Sequence, residues 1–108
     1  MAAKVLLVED DSAQANPLLN LLRARLPSGS SATHAISLAE ALRRIATDRF
    51  DVVLLDLGLP DSDGMATLEA VRSANSEIAV IILTGREDDE LVRMAVRLGT
   101  RAGLIFTS

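Results

Sequence analysis

Val52–Pro60 reads VVLLDLGLP. Four apolar residues run into an aspartate, and a glycine and a proline follow almost at once. A carboxylate buried in mid-strand costs several kcal/mol of desolvation, on the order of the upper end for polar groups. An apolar run of this kind reads as a strand covered on both faces, and the loop residues behind it place Asp56 where the chain comes out into water.

Outward from that stretch the same form recurs. Lys4–Val8 (KVLLV) is short, apolar and followed by Glu9, Asp10 and Asp11. Between the two lie a leucine-rich helix with Leu18, Leu21, Leu22 and Leu26 at helical spacing, a loop at Pro27–Ser31, and a second strand over Ala32–Ile36. Asn16-Pro17 suits an N-cap and first helical position, which predicts a late helix start, the alternative being a kinked first turn. Ser37 to Glu40 matches a capping box ahead of a helix whose apolar face is Leu38, Ala41, Leu42 and Ile45. Asp51–Asp56 is the third strand, Gly64–Asn75 a helix with Met65, Leu68 and Val71 inward, and Ile78–Thr84 the fourth strand. A helix over Glu87–Leu98, acidic at its start and basic toward its end, agrees with the helix dipole. Gly103–Phe106 is a last, weak strand.

The 108 residues make one domain, 1–108, able to bury roughly 65% of its unfolded surface. There is no cysteine, hence no disulfide framework and no thiolate metal site. A net charge of −4 argues against nucleic acid as the main partner. No run approaches the ~20 apolar residues that span a bilayer, and no signal peptide is evident. A cytoplasmic domain is expected. Alternating strands and helices imply a parallel sheet with both faces covered. Ligands in such sheets bind beyond the carboxyl ends of the strands, near the point where strand order reverses. Glu9, Asp10, Asp56 and Thr84 should therefore face one crevice.

Three carboxylates brought together repel one another unless something compensates, and a hard dication such as Mg²⁺ does so with oxygen ligands. A carboxylate beside that ion can act as a nucleophile toward phosphorus. The segments VLLVEDD, DVVLLDLGLPDSDG and VIILTG, in this order and spacing, closely resemble the receiver domain of bacterial two-component response regulators over residues 3–99. The resemblance implies a flavodoxin-like, doubly wound parallel sheet of five strands in order 2-1-3-4-5. It also implies a phosphoryl group passing from a sensor histidine kinase or phosphotransfer protein to Asp56. Asp10 and Asp56 would contact Mg²⁺ directly, Glu9 through water, and the Gly58 backbone carbonyl would be a further ligand. Thr84 would be the switch hydroxyl, and Pro60 and Gly64 would shape the loop into the third helix. An output domain or partner protein would receive the signal, without direct contact to nucleic acid or membrane.

The sequence departs from the family pattern near its end. The lysine expected at the end of the fifth strand falls on Phe106, and Lys4 is the only lysine in the chain. The aromatic switch position falls on Gly103, or, if the segment carries an insertion, on Phe106. No fifth helix follows, so the α1-side face of the last two strands, with Val80, Ile82 and Leu104, is expected to be uncovered and to favour a homo-oligomer.

Other patterns carry less. Read as a calcium loop, DSDG at Asp61–Gly64 puts Leu59 and Ala70 at the first and last ligand positions, which excludes it. LTGRE lacks the spacing of a phosphate-binding loop. His34 reads as structural and Asp11 as a helix-start residue. Arg93, Arg97 and Arg101 form a solvated ridge that could also meet a partner. Two rivals stand beside the switch: an interaction module of the same fold that no longer switches through phosphate, and a phosphatase of the haloacid-dehalogenase kind. The latter needs a second acid two positions after its nucleophile, where Gly58 stands.

Overall fold

A computed structural model of the chain describes residues 2–56, 58–84 and 104–106. The elements are β1 (Lys4–Val8), α1 (Ser12–Arg25), β2 (Ser31–Ala35), α2 (Leu38–Thr47), β3 (Val52–Asp56), β4 (Gly58–Leu59), β5 (Ser62–Asp63), α3 (Gly64–Ala74), β6 (Ala79–Thr84) and β7 (Leu104–Phe106). The helix expected over Glu87–Leu98 and the Gly103 position lie outside the described residues.

The main sheet is parallel and ordered β2-β1-β3-β6-β7. With β6 and β7 as fourth and fifth strands, this is the expected order 2-1-3-4-5. Its strands are apolar because both faces are covered. Leu6, Val8, Val53, Leu55, Val80 and Ile82 point to one side and pack with Ala41 and Ile45 of α2 and Leu68 and Val71 of α3. Val5, Leu7, Leu54 and Leu83 point to the other and pack with Ala15 and Leu19 of α1.

This alternation corrects the expectation of an uncovered patch. Val80 and Ile82 are buried, 2% and 1% exposed, on the α2–α3 side rather than beside α1. The register decides it: Val80 pairs with Val53 and Ile82 with Leu55, and both partners face α2 and α3. The β6 residues turned toward α1 are Ile81 and Leu83. The Leu104 side chain lies outside the described set.

The late start of α1 is also corrected. Asp11 caps the helix, its Oδ1 accepting from the Ala13 amide at 2.9 Å, and Pro17 stands inside. Pro17 removes the amide that would bond the Ala13 carbonyl. Ala13 and Pro17 both lie on the exposed side, where water can take that carbonyl. The buried face is Ala15 and Leu19, with Leu18, Leu22 and Leu26 beside them, while Leu21 is 52% exposed.

The turn into β2 uses Gly29 at φ +86°, a left-handed conformation that glycine adopts without steric cost. At the other helix start, Ser37 caps α2 as expected, its Oγ accepting from the Glu40 amide at 3.1 Å. The antiparallel pair β4–β5, joining Gly58 to Asp63 and Leu59 to Ser62, has no counterpart in the sequence reading. Among the described residues no helix is long and apolar enough to cross a membrane.

Candidate functional site

In the order β2-β1-β3, the connections leaving β1 and entering β3 run to opposite sides of the sheet, so the strand order reverses between β1 and β3. Val8 pairs with Leu55, which brings Glu9 and Asp56 side by side just past the last apolar pair. One carboxylate oxygen from each of Glu9, Asp10 and Asp56 lies within 4.8 Å of the others. Glu9 is buried, Asp56 half-buried and Asp10 exposed, so the cluster opens from the end of the sheet toward water.

Glu9 is held on three sides. Its amide donates to the Ala35 carbonyl at 3.0 Å, extending the β1–β2 ladder by one residue. Its carbonyl meets the His34 Nε2 at 2.6 Å, so that nitrogen carries the proton. Its Oε1 accepts from the Asp11 amide at 3.2 Å. Asp11 in turn starts α1, so one short turn fixes both the acids and the helix. His34 is structural, as expected, and the structure shows what it does: it fixes the backbone that carries the acidic pair.

Burial pushes the Glu9 carboxyl up from 4.5 to about 7, and a hydrogen bond to Asp56 and the charges of Asp56 and Asp10 push the same way. Only the Asp11 amide opposes them. Near neutral pH Glu9 therefore retains its proton for part of the time. A divalent cation would displace it, because metal ligation favours the deprotonated form. The donor chemistry fits such an ion: three carboxylates from two strand ends, all oxygen, with one exposed side open to water, are a set that Mg²⁺ accepts.

The remaining expected site residues fall around this cluster. The Gly58 backbone lies two residues past Asp56 and pairs with Asp63. Thr84 ends β6, one position beyond Leu83, the register partner of Asp56. The Thr84 side chain lies outside the described set. Lys4 is at the opposite end of β1, paired with Asp48 and over the Phe50 ring at 5.8 Å from its centroid. A five-residue strand puts about 16 Å between the two ends. The chain's lysine is thus remote from Asp56.

Two residues have surroundings that the sequence did not announce. Thr67 of α3 is fully buried. Asp61, at the tip of the β4–β5 hairpin, accepts from the amides of Leu38 and Ala39, each at 2.9 Å. Pro60-Asp61 signals a turn, but no local pattern names the helix that such a turn will meet.

A family model described as the response regulator receiver domain matches residues 5–105. The chain is 33% identical over 100 residues to the transcriptional regulatory protein KdpE of Staphylococcus aureus, covering 92% of this chain and 41% of that protein. It spans about two-fifths of the length of this curated relative. Among solved structures it resembles a CheY-like response regulator receiver domain protein from Methanospirillum hungatei, with a TM-score of 0.85 and 25% identity over 99% of this chain and 82% of the other. The phosphorylated cyanobacterial phytochrome response regulator RcpA gives a TM-score of 0.82 and 26% identity over 100% and 82% of the two chains. With the family match running from β1 into β7, and the acids meeting where the strand order reverses, the chain belongs to the response regulator receiver domain family.

Proposed function

We propose that Asp56 accepts a phosphoryl group from the phosphohistidine of a sensor kinase or phosphotransfer protein, with Mg²⁺ as cofactor. The observation that carries this is the convergence of Glu9, Asp10 and Asp56 oxygens within 4.8 Å at the β1–β3 switch point. The phosphorylated relative RcpA supports it. Asp10, Asp56 and the Gly58 carbonyl would hold the metal, with Glu9 acting through water. When bound, Mg²⁺ offsets the negative charge that builds on the phosphoryl oxygens during transfer.

A carboxylate oxygen of Asp56 attacks phosphorus as the phosphorus–nitrogen bond to the donor imidazole breaks, leaving an acyl phosphate on Asp56 and a free imidazole. The Thr84 hydroxyl then donates to a phosphoryl oxygen. The chain is a signalling switch in this scheme, passing its state to an output domain or partner protein.

The switch should be weak. A charge-assisted lysine contact is worth about 1.5–3 kcal/mol, and a neutral hydroxyl bond about 1 kcal/mol. Moving a population from 1:99 to 99:1 takes about 5.5 kcal/mol. With no lysine at Phe106, Thr84 alone falls far short. This favours a second reading, an interaction module of the same fold whose surface no longer responds to phosphate.

Incubation with acetyl phosphate and Mg²⁺ followed by intact-mass analysis separates the two. A single phosphoryl adduct, abolished in Asp56→Asn, with amide NMR shifts confined to residues near Asp56, is the expected result. No adduct would favour the interaction module. Large shifts through β6 and β7 would show strong switching by another route.

A further inference from the structure

Phosphoryl transfer at Asp56 makes no use of the Asp61 carboxylate, yet that group is clamped by two bonds. Oδ1 accepts from the Leu38 amide and Oδ2 from the Ala39 amide, each at 2.9 Å. These are the first two residues of α2, and such amides have no partner within their own helix. The next orphan amide, that of Glu40, is taken by Ser37 Oγ at 3.1 Å. The start of α2 is therefore shared between a local cap and a group from another loop more than 20 positions away.

The loop that supplies Asp61 is the one that carries Gly58. Leu59 is 5% exposed and sits in the apolar cluster with α2 and α3. Leu59 pairs with Ser62 and Gly58 with Asp63, so Pro60 and Asp61 form the hairpin tip. Gly58 has no side chain to anchor it. Its position is set on one side by β3 and on the other by what holds the tip. That hold consists of the buried Leu59 and the two bonds of Asp61.

We infer that Asp61 is a positioning residue for the acidic site: by fastening the hairpin tip to the start of α2, it sets the Gly58 carbonyl relative to Asp56 and ties metal binding to α2. This rests on the phosphoacceptor reading, since it takes Gly58 as a metal ligand. Coupling of this kind is reciprocal. Metal binding should be felt at Leu38 and Ala39, and loosening the clamp should weaken metal binding. The helix-start amides also draw the Asp61 carboxyl below its usual value of 3.8, consistent with an ionised group held in place.

The test is a Mg²⁺ titration followed by amide NMR on the wild-type chain and on Asp61→Ala, Asp61→Asn and Ser37→Ala. In the wild type, the Leu38 and Ala39 amides should shift with the same midpoint as those of Asp10 and Asp56. In Asp61→Ala that midpoint should rise roughly tenfold, the lower end of the range for outer partners of metal ligands, and Leu38 and Ala39 should cease to respond. Asp61→Asn keeps one acceptor oxygen and should lie between. Ser37→Ala weakens the same helix start without touching the loop, and should leave the midpoint unchanged.

An unchanged midpoint in Asp61→Ala overturns the inference and leaves the phosphoacceptor reading standing. So does a loss in Asp61→Asn equal to that in Asp61→Ala, which would assign the effect to charge. An equal loss in Ser37→Ala would assign it to helix stability and overturn it too. Absence of any shift at Asp10 and Asp56 in the wild type would remove the phosphoacceptor reading and this inference together.

Discussion

The carboxyl groups of Glu9 and Asp56 meet across the ends of β1 and β3, one oxygen of each within 4.8 Å of the other. Two carboxylates so placed repel one another, and burial at the sheet end favours a proton on Glu9. The Glu9 carboxyl stands at about 7 in the folded chain against 4.5 when unfolded.

Without divalent cations, stability should therefore fall as pH rises. Between 4.5 and about 7 the native state holds a proton that the unfolded chain has released, so the stabilisation is complete below 4.5 and lost through 7. The shift sets an upper bound of about 3 kcal/mol. Asp48 and Asp61 are both held below 3.8 by their hydrogen bonds, and their contributions are lost only at more acid pH. Urea denaturation from pH 4.5 to 8 checks this, and Glu9→Gln should flatten the curve over that window.

Millimolar Mg²⁺ should raise the melting temperature at pH 7.5. Binding to the native state alone contributes about 1.4 kcal/mol at ten times Kd. Asp10→Asn should melt higher than wild type without metal, having lost a repulsive charge, and should not respond to Mg²⁺. A thermal melt series reads both effects.

Leu19 and Leu21 stand two positions apart on α1 and face opposite environments, 6% and 52% exposed. Leu19→Ala should cost about 2–5 kcal/mol and Leu21→Ala no more than about 0.5 kcal/mol. Paired denaturation curves with equal slopes would check the helix face.

Asp51 and Lys4 exchange backbone contacts at the other end of the sheet. The Lys4 amide donates to Asp51 Oδ2 and the Asp51 amide to the Lys4 carbonyl, each at 2.8 Å. Asp51→Ala removes only the first and should cost about 1 kcal/mol. The measurement is again equilibrium unfolding.

The sheet was legible because its inner strands are unbroken apolar runs, two of which end in acids. Neither an isolated Asp56 nor an isolated Glu9-Asp10 would locate a site; two such endings, on strands that a parallel sheet makes neighbours, do. The errors came from what lies beyond local pattern. Pro17 looked like a helix start because its cost depends on where the Ala13 carbonyl points, which is a fact of burial. Val80 and Ile82 were placed on the wrong face because alternation defines two sets of side chains without saying which layer each will meet. That is settled by register with Val53 and Leu55. Asp61, in the sequence only part of an excluded calcium loop, gives no local sign of its partners because they lie more than 20 positions away.

The central pairing of β1 with β3 also sets a timetable for the chain. Lys4 and Asp51 are 47 positions apart, so until β3 is made β1 has α1 to cover Val5 and Leu7 but no apolar strand at its side. The intervening strand β2 offers SATHA, of which only Ala35 is buried. At a synthesis rate of about 5–20 residues per second, the first strand waits roughly 2–10 s for its partner. Val5 to Val8, among the most deeply covered residues of the finished sheet, spend that interval without the strand that completes their cover. A nascent chain stalled before residue 52 should accordingly be stickier than the finished domain. The segment that carries Asp56 is also the one whose arrival gives β1 its apolar neighbour.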